Sequence, residues 1–184
     1  LFVLGAITLY AIALNIPLPG GNPAAIQQLF QSSAGVLGFI DVFGGGALSK
    51  LSITALGIMP YITSSIVFQI LTIAFPRMKE MQQDEYGRRQ LKQWTRWAAI
   101  ALTLVQAMIA TRAFQQVSPQ VLPSGTDVFL QSVLSLTAGT MFLIWLGEQM
   151  TTRGIGNGIS FIIFAGIVAR LPVTLYELLQ EAQQ

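Results

Sequence analysis

Side chains able to do chemistry are scarce in this chain, and two of the most versatile types are missing. Its 184 residues include no histidine and no cysteine, eight Asp+Glu and ten Lys+Arg. That leaves no thiolate nucleophile, disulfide framework, imidazole base or His/Cys metal site. Catalysis would need Ser, Lys, Asp or Glu alone; the expectation is no catalytic residue, no metal and no cofactor. Gly154-Ile-Gly-Asn-Gly158 has the glycine density of a phosphate cradle. No strand precedes it, however, and no Lys or Ser/Thr follows in P-loop order. Its Gly-x-x-x-Gly spacing suits close helix packing better. Basic residues gather at Arg77, Lys79, Arg88, Arg89, Lys92 and Arg96. Such a cluster serves as a topology anchor, or as a docking surface for an acidic partner or RNA phosphates.

The elements that must position these residues are membrane spans. The chain is 53% hydrophobic and 10% charged, with mean hydropathy +0.61. Its charge is less than half the ~25% of a soluble domain, too little to coat a water-soluble globule, and the same apolar content excludes a disordered tail. A bilayer-crossing helix needs about 20 mostly apolar residues, and a helix satisfies its backbone internally in lipid. The reading is an all-α membrane protein with five spans: Leu1–Ile16, Leu51–Phe75, Trp94–Phe114, Phe129–Gly147 and Ile155–Leu175. The first is cut short by Pro17-Leu18-Pro19-Gly20-Gly21 and opens without Met, so a truncated first span of a longer protein is expected.

The Pro76–Arg96 connection and Arg153 hold seven of the ten basic residues; Lys50, Arg112 and Arg170 fall on the other side. The bias toward cytoplasmic Lys/Arg puts connections 76–93 and 148–154 in the cytoplasm, with the start of the chain. Segments 17–50, 115–128 and the tail 176–184 are then external.

Within the first outer segment, Asn22-Pro23 suits a helix start and predicts a short surface helix over Pro23–Gln31. Gly35–Phe43 is apolar except for Asp41 and too short to span. It reads as an interfacial or re-entrant piece, or as a mobile stopper freed by Gly44-Gly45-Gly46. Gly57 and Pro60 predict a kink near Met59-Pro60 within span two. Ile58, Ile62 and Ile66 share one helix face, and Ile163 and Ile167 repeat the spacing. Such rows face lipid, pack on neighbours or line a pore. Tyr61, Ser65 and Gln69 make a separate polar stripe, and Gln106 sits mid-span in the third helix; both want partners at that depth, either in fixed helix contacts or at a movable seam.

Several stretches together resemble the SecY family of protein-translocation channels. They are Phe43-Gly-Gly-Gly-Ala-Leu-Ser49, Leu56-Gly-Ile-Met-Pro-Tyr-Ile62, Tyr86-Gly-Arg-Arg89 with Gln93-Trp-Thr-Arg96, Trp145-Leu-Gly-Glu-Gln149, and Arg153-Gly-Ile-Gly-Asn-Gly-Ile-Ser160 followed by Ile163-Phe-Ala-Gly-Ile-Val168. The matches run in family order from inside the first to just past the fifth transmembrane helix. The resemblance implies one five-helix half of an inverted-repeat channel, with a short re-entrant plug helix. It implies a pore ring of Ile58, Ile62, Ile163 and Ile167, and a plug at Gly35–Lys50 presenting Val36, Leu37, Phe39, Ile40, Val42 and Phe43. Ile66, Gln69 and Gln106 are the implied lateral-gate residues, and Arg88, Arg89 and Arg96 the implied cytoplasmic partner contacts.

The implied partners are SecE, SecG, SecA and the ribosome, together with signal peptides, unfolded secretory chains, the lipid bilayer of the plasma membrane and the remaining half of the channel. The chain departs from the family pattern in two places: Gly44 stands where the plug motif has Ser, and Gln82-Gln83 where lysines are common. A competing reading, a small-solute or ion transporter, would use the Gly/Pro-interrupted second and fifth spans as broken helices.

Overall fold

The computed structural model describes residues 2–32, 41, 45–117, 121–154 and 156–181, with backbone alone at 23, 29–32, 117 and 170–181. Seven helices run through them: α1 (Phe2–Leu14), α2 (Pro23–Ser32), α3 (Met59–Ala74), α4 (Pro76–Gln83), α5 (Glu85–Val117), α6 (Thr126–Arg153) and α7 (Gly158–Glu181). No strand occurs among the described residues; Pro17 and Ser52 form an isolated antiparallel bridge.

Two helices among the described residues, α5 and α6, are individually long and apolar enough to cross a membrane. With 33 and 28 residues they extend about 50 and 42 Å at 1.5 Å per residue, more than the ~30 Å hydrocarbon core. The excess at the start of α5 carries Arg88, Arg89, Lys92 and Arg96. Some buried hydroxyls in these helices are met internally: Thr95, Thr103 and Thr137 donate to the carbonyls of Leu91, Ala99 and Val133, as helix hydroxyls commonly do. The buried hydroxyls of Thr111, Ser132 and Thr140 have no hydrogen-bond partner among the described residues. α3 and α4 add a third span only if taken together, and they bend by 108°. α1 and the Gly158–Ala169 stretch of α7 are apolar but shorter.

Two expectations change. The residues Leu51–Ile58, expected to open the second span, form turns instead, and α3 starts at Met59. Leu51 and Gly57 take positive φ, 47° and 59°, which a helix excludes. Pro60 therefore produces no kink. It sits in the first turn of α3, where its missing N–H costs no hydrogen bond. The turns are held from below: Leu18 N–H donates to Leu51 O (2.8 Å), Ile53 N–H to Ile16 O (3.1 Å), and Ser52 Oγ to Ala13 O (3.0 Å).

The charged connection 76–96 is also not a loop. It is α4 followed directly by the first turns of α5. Charge marked it as lying in water, and water does not forbid a helix. The chain corners at Phe75, the residue before Pro76, which is extended (φ −111°, ψ 114°) as that position demands.

The remaining helix ends follow local sequence. Ala24 N–H donates to Asn22 Oδ1 (3.1 Å) at the start of α2. Ile159 N–H donates to Asn157 Oδ1 (3.1 Å) at the start of α7. Gly158 lies flush on α6: its N–H reaches Thr151 Oγ1 (2.9 Å), and a methyl there would fall on the Gly147 carbonyl. The glycine run thus lets α7 pack closely on α6. α3 packs on α5, α5 on α6, α6 on α7, and α1 on both α6 and α7.

Candidate functional site: an isoleucine cluster, a buried aspartate turn and a polar groove

One apolar cluster gathers Tyr10 and Leu14 of α1, Leu143 and Leu146 of α6, Ile162 of α7, Ala47 and Ile58. Ile58 is 5% exposed, at the position that caps α3. Ile62, one turn on, and Ile163 of α7 are half-buried and pack against the same cluster. The structure therefore packs three of the four ring candidates, Ile58 just before α3, Ile62 on α3 and Ile163 on α7, against one apolar cluster. Ile167 is half-buried one turn further along α7.

Val36, Leu37, Phe39, Ile40, Val42 and Phe43 lie outside the described residues, whereas Asp41 and the base of the segment lie within them. Asp41 is fully buried. Its Oδ1 accepts from the N–H groups of Leu48 (2.9 Å) and Ser49 (3.0 Å), and its carbonyl from Gly46 N–H (2.9 Å). The single charge in an otherwise apolar run is thus the cap of the turn that follows. Its signal in the sequence was an aspartate just ahead of a glycine-rich turn, where such side chains satisfy backbone donors. Beyond it, Gly45 and Gly46 take left-handed φ, 67° and 81°, and Ala47 enters the apolar cluster fully buried.

The polar stripe on α3 looks into a groove of about 580 Å³ between α3, α4 and α5. Tyr61, Ser65, Gln69 and Thr72 form one wall; Lys79, Arg88 and Lys92 bring positive charge to the other. Gln69 Nε2 donates to Ser65 Oγ at 3.4 Å. Of the gate candidates only Gln69 lines this groove. Ile66 is half exposed on α3, and Gln106 is half-buried on α5 outside the groove.

The three arginines differ. Arg89 is exposed. Arg88 reaches back to the Gln82 carbonyl (3.4 Å), tying α5 to α4. Arg96 is engaged with Glu148 of α6 through two nitrogens, Nε to Oε1 at 3.1 Å and Nη2 to Oε2. At the far end of the same helix pair, the Arg112 guanidinium lies 5.4 Å from the Phe129 ring centroid. From 96 to 112 is about 24 Å of helix axis, so the two arginines bracket an apolar stretch nearly as thick as the hydrocarbon core. Nothing in the local pattern could have paired Arg96 with a carboxylate 52 residues away.

A helical bundle whose longest members carry such bracketed apolar stretches is a polytopic α-helical membrane protein. The sequence pattern of the SecY family matches residues 52–184. The chain is similar to the protein translocase subunit SecY of Escherichia coli K12 (45% identical; 100% of this chain, 43% of that protein), of Haemophilus influenzae (43%; 100% and 42%) and of Vibrio cholerae (45%; 100% and 42%). The chain belongs to the SecY family. It spans about two-fifths of the length of the curated relatives it matches.

Proposed function

We propose that this chain forms one five-span half of a protein-conducting channel, which passes unfolded secretory chains across the plasma membrane and releases hydrophobic segments into the bilayer. The observation that carries the reading is the shared apolar cluster: Ile58, Ile62 and Ile163 converge on it from α3 and α7, and the base of the Gly35–Lys50 segment enters it at Ala47. A collar of aliphatic side chains is narrow, deformable and dry, so it can close around a moving polypeptide while impeding ions by dewetting. Ile167 completes this half of the ring. The remaining half of the channel supplies the opposite wall.

In this arrangement Val36, Leu37, Phe39, Ile40, Val42 and Phe43 form the plug, and Ile66, Gln69 and Gln106 the seam through which a signal peptide leaves. Arg88 and Arg89 face the cytoplasm, where SecA or the ribosome docks, and SecE and SecG complete the complex. Arg96 is left mainly with an internal role by its pairing with Glu148. The start of the chain lies in the cytoplasm and its end outside, and the protein performs no enzymatic step. The transporter reading loses its physical basis in the second span, because the Gly57–Pro60 break lies at the start of α3 instead of inside a helix.

The test is site-directed crosslinking from Ile58, Ile62, Ile163 and Ile167 to a stalled secretory chain in the full-length channel. Crosslinks at these positions are expected. Their absence at all four overturns the reading.

A further inference from the structure

The Arg96–Glu148 pair heads a crevice of about 160 Å³ where α5 meets α6. Both ion partners line it, together with Ile100, Met141, Ile144 and Trp145. Ile144 is buried and Ile100 half-buried, whereas Met141 and Trp145 are exposed. Arg96, Ile100 and Leu104 follow one row of α5, as Glu148, Trp145 and Met141 follow one row of α6. The charged pair thus closes one end of an apolar slot that runs from it toward Arg112. Tryptophan marks the depth of that end: Trp97, beside Arg96, and Trp145 are each more than half exposed. Indole rings gather where headgroups meet acyl chains, and Arg96 is one of the two arginines that bracket the apolar stretch of α5. The pair therefore sits at headgroup level, and the slot at the level of the first methylenes.

A guanidinium carries five N–H donors and a carboxylate about four lone-pair positions, so the contacts between Arg96 and Glu148 exhaust neither group. Both side chains also stay partly exposed. Together they are neutral, which gives an anion no net attraction but suits a molecule carrying both signs of charge. With α5 and α6 as membrane spans, and independently of the channel reading, we propose that this crevice binds one phospholipid whose headgroup holds a phosphate and a primary ammonium, as phosphatidylethanolamine does. The Arg96 guanidinium takes the phosphate, whose oxygens match its planar donors. The Glu148 carboxylate accepts from the ammonium, and one acyl chain enters the slot over Ile144. A trimethylammonium headgroup has no N–H to offer Glu148, and a glycerol headgroup has no cation. Phosphatidylcholine and phosphatidylglycerol therefore keep only the Arg96 half of the contact.

The test is photocrosslinking in the full-length protein with its partner subunits, reconstituted in phosphatidylcholine vesicles. A trace phospholipid carries a diazirine in one acyl chain, and three such probes differ only in headgroup: ethanolamine, choline or glycerol. Label is mapped by peptide mass spectrometry to Ile100, Leu104 and Met141, and scaled to label at Leu130, exposed near the other end of α6. The ethanolamine probe is expected to label the slot about tenfold more than either other probe, the scale of one charge-assisted hydrogen bond. Glu148→Gln should bring it down to the choline probe, Glu148→Asp should keep most of the preference, and Arg96→Gln should lower slot labelling by all three. Equal labelling by the ethanolamine and choline probes in the parent protein makes the occupant unselected boundary lipid and overturns the proposal. An excess of the glycerol probe overturns it too, as does a preference that survives Glu148→Gln. A slot that no probe labels, while Leu130 is labelled, is covered by protein, and the proposal falls. If the variants do not accumulate, the three-probe comparison in the parent decides alone.

Discussion

The Arg96 guanidinium of α5 grips the Glu148 carboxylate of α6 through two nitrogens, across 52 residues of sequence. Arginine is half exposed and glutamate one-quarter exposed, so water screens the pair. Arg96→Ala should lower stability by no more than about 1 kcal/mol, and the difference should shrink in high salt. Thermal unfolding in detergent at two ionic strengths measures both, with the exchanged pair Arg96→Glu/Glu148→Arg recovering part of the loss. A salt-independent loss of several kcal/mol would mean that the pair is far drier than its exposure indicates.

At the other end of α5, Arg112 over the Phe129 ring should couple by about 0.5–1 kcal/mol. A double-mutant cycle of Arg112→Ala and Phe129→Leu reads that coupling directly. Additive single effects would show that the geometry contributes no energy.

Asp41 separates charge from acceptor geometry. Asp41→Asn keeps an oxygen for the Leu48 and Ser49 N–H groups, whereas Asp41→Ala strands both, at about 1–3 kcal/mol for a buried donor. Hydrogen exchange at those two amides should accelerate strongly in the alanine variant and little in the asparagine variant. Equal acceleration in both would place the weight on the negative charge.

Gly158 meets the Gly147 carbonyl and Met150 Cβ with no clearance for a methyl. Gly158→Ala should therefore part α6 from α7, costing about 1–3 kcal/mol and lowering the accumulation of folded protein in the membrane. Unchanged thermal stability would contradict the close approach.

Long apolar windows were the most legible feature of the sequence, and α5 and α6 contain two of them. The helix start at Asn22 was legible for a local reason, since a side-chain amide followed by Pro leaves few alternatives, whereas the cap at Asn157 escapes a reading that starts span five at Ile155. Leu51–Ile58 misled because hydropathy reports burial and not backbone path. Those residues are apolar because they are enclosed, and the decisive hints were Gly57 and a proline that prefers a first turn. The stretch from Pro76 to Arg96 misled in the opposite sense, since charge there marks water without marking a loop. Spacing put the isoleucines in rows and the family resemblance made them ring candidates, but their convergence depends on how α3 and α7 meet around α1 and α6. The close approach of Gly45 and Gly166 beside the Tyr10 hydroxyl joins three distant parts of the chain and leaves no trace in any one of them.

The corner at Phe75–Pro76 has a mechanical corollary. Because α3 and α4 meet at 108° through one extended residue and both pack on α5, the elbow is braced on its third side. A load applied to α4 from the water side is therefore passed to α5 as well as to α3.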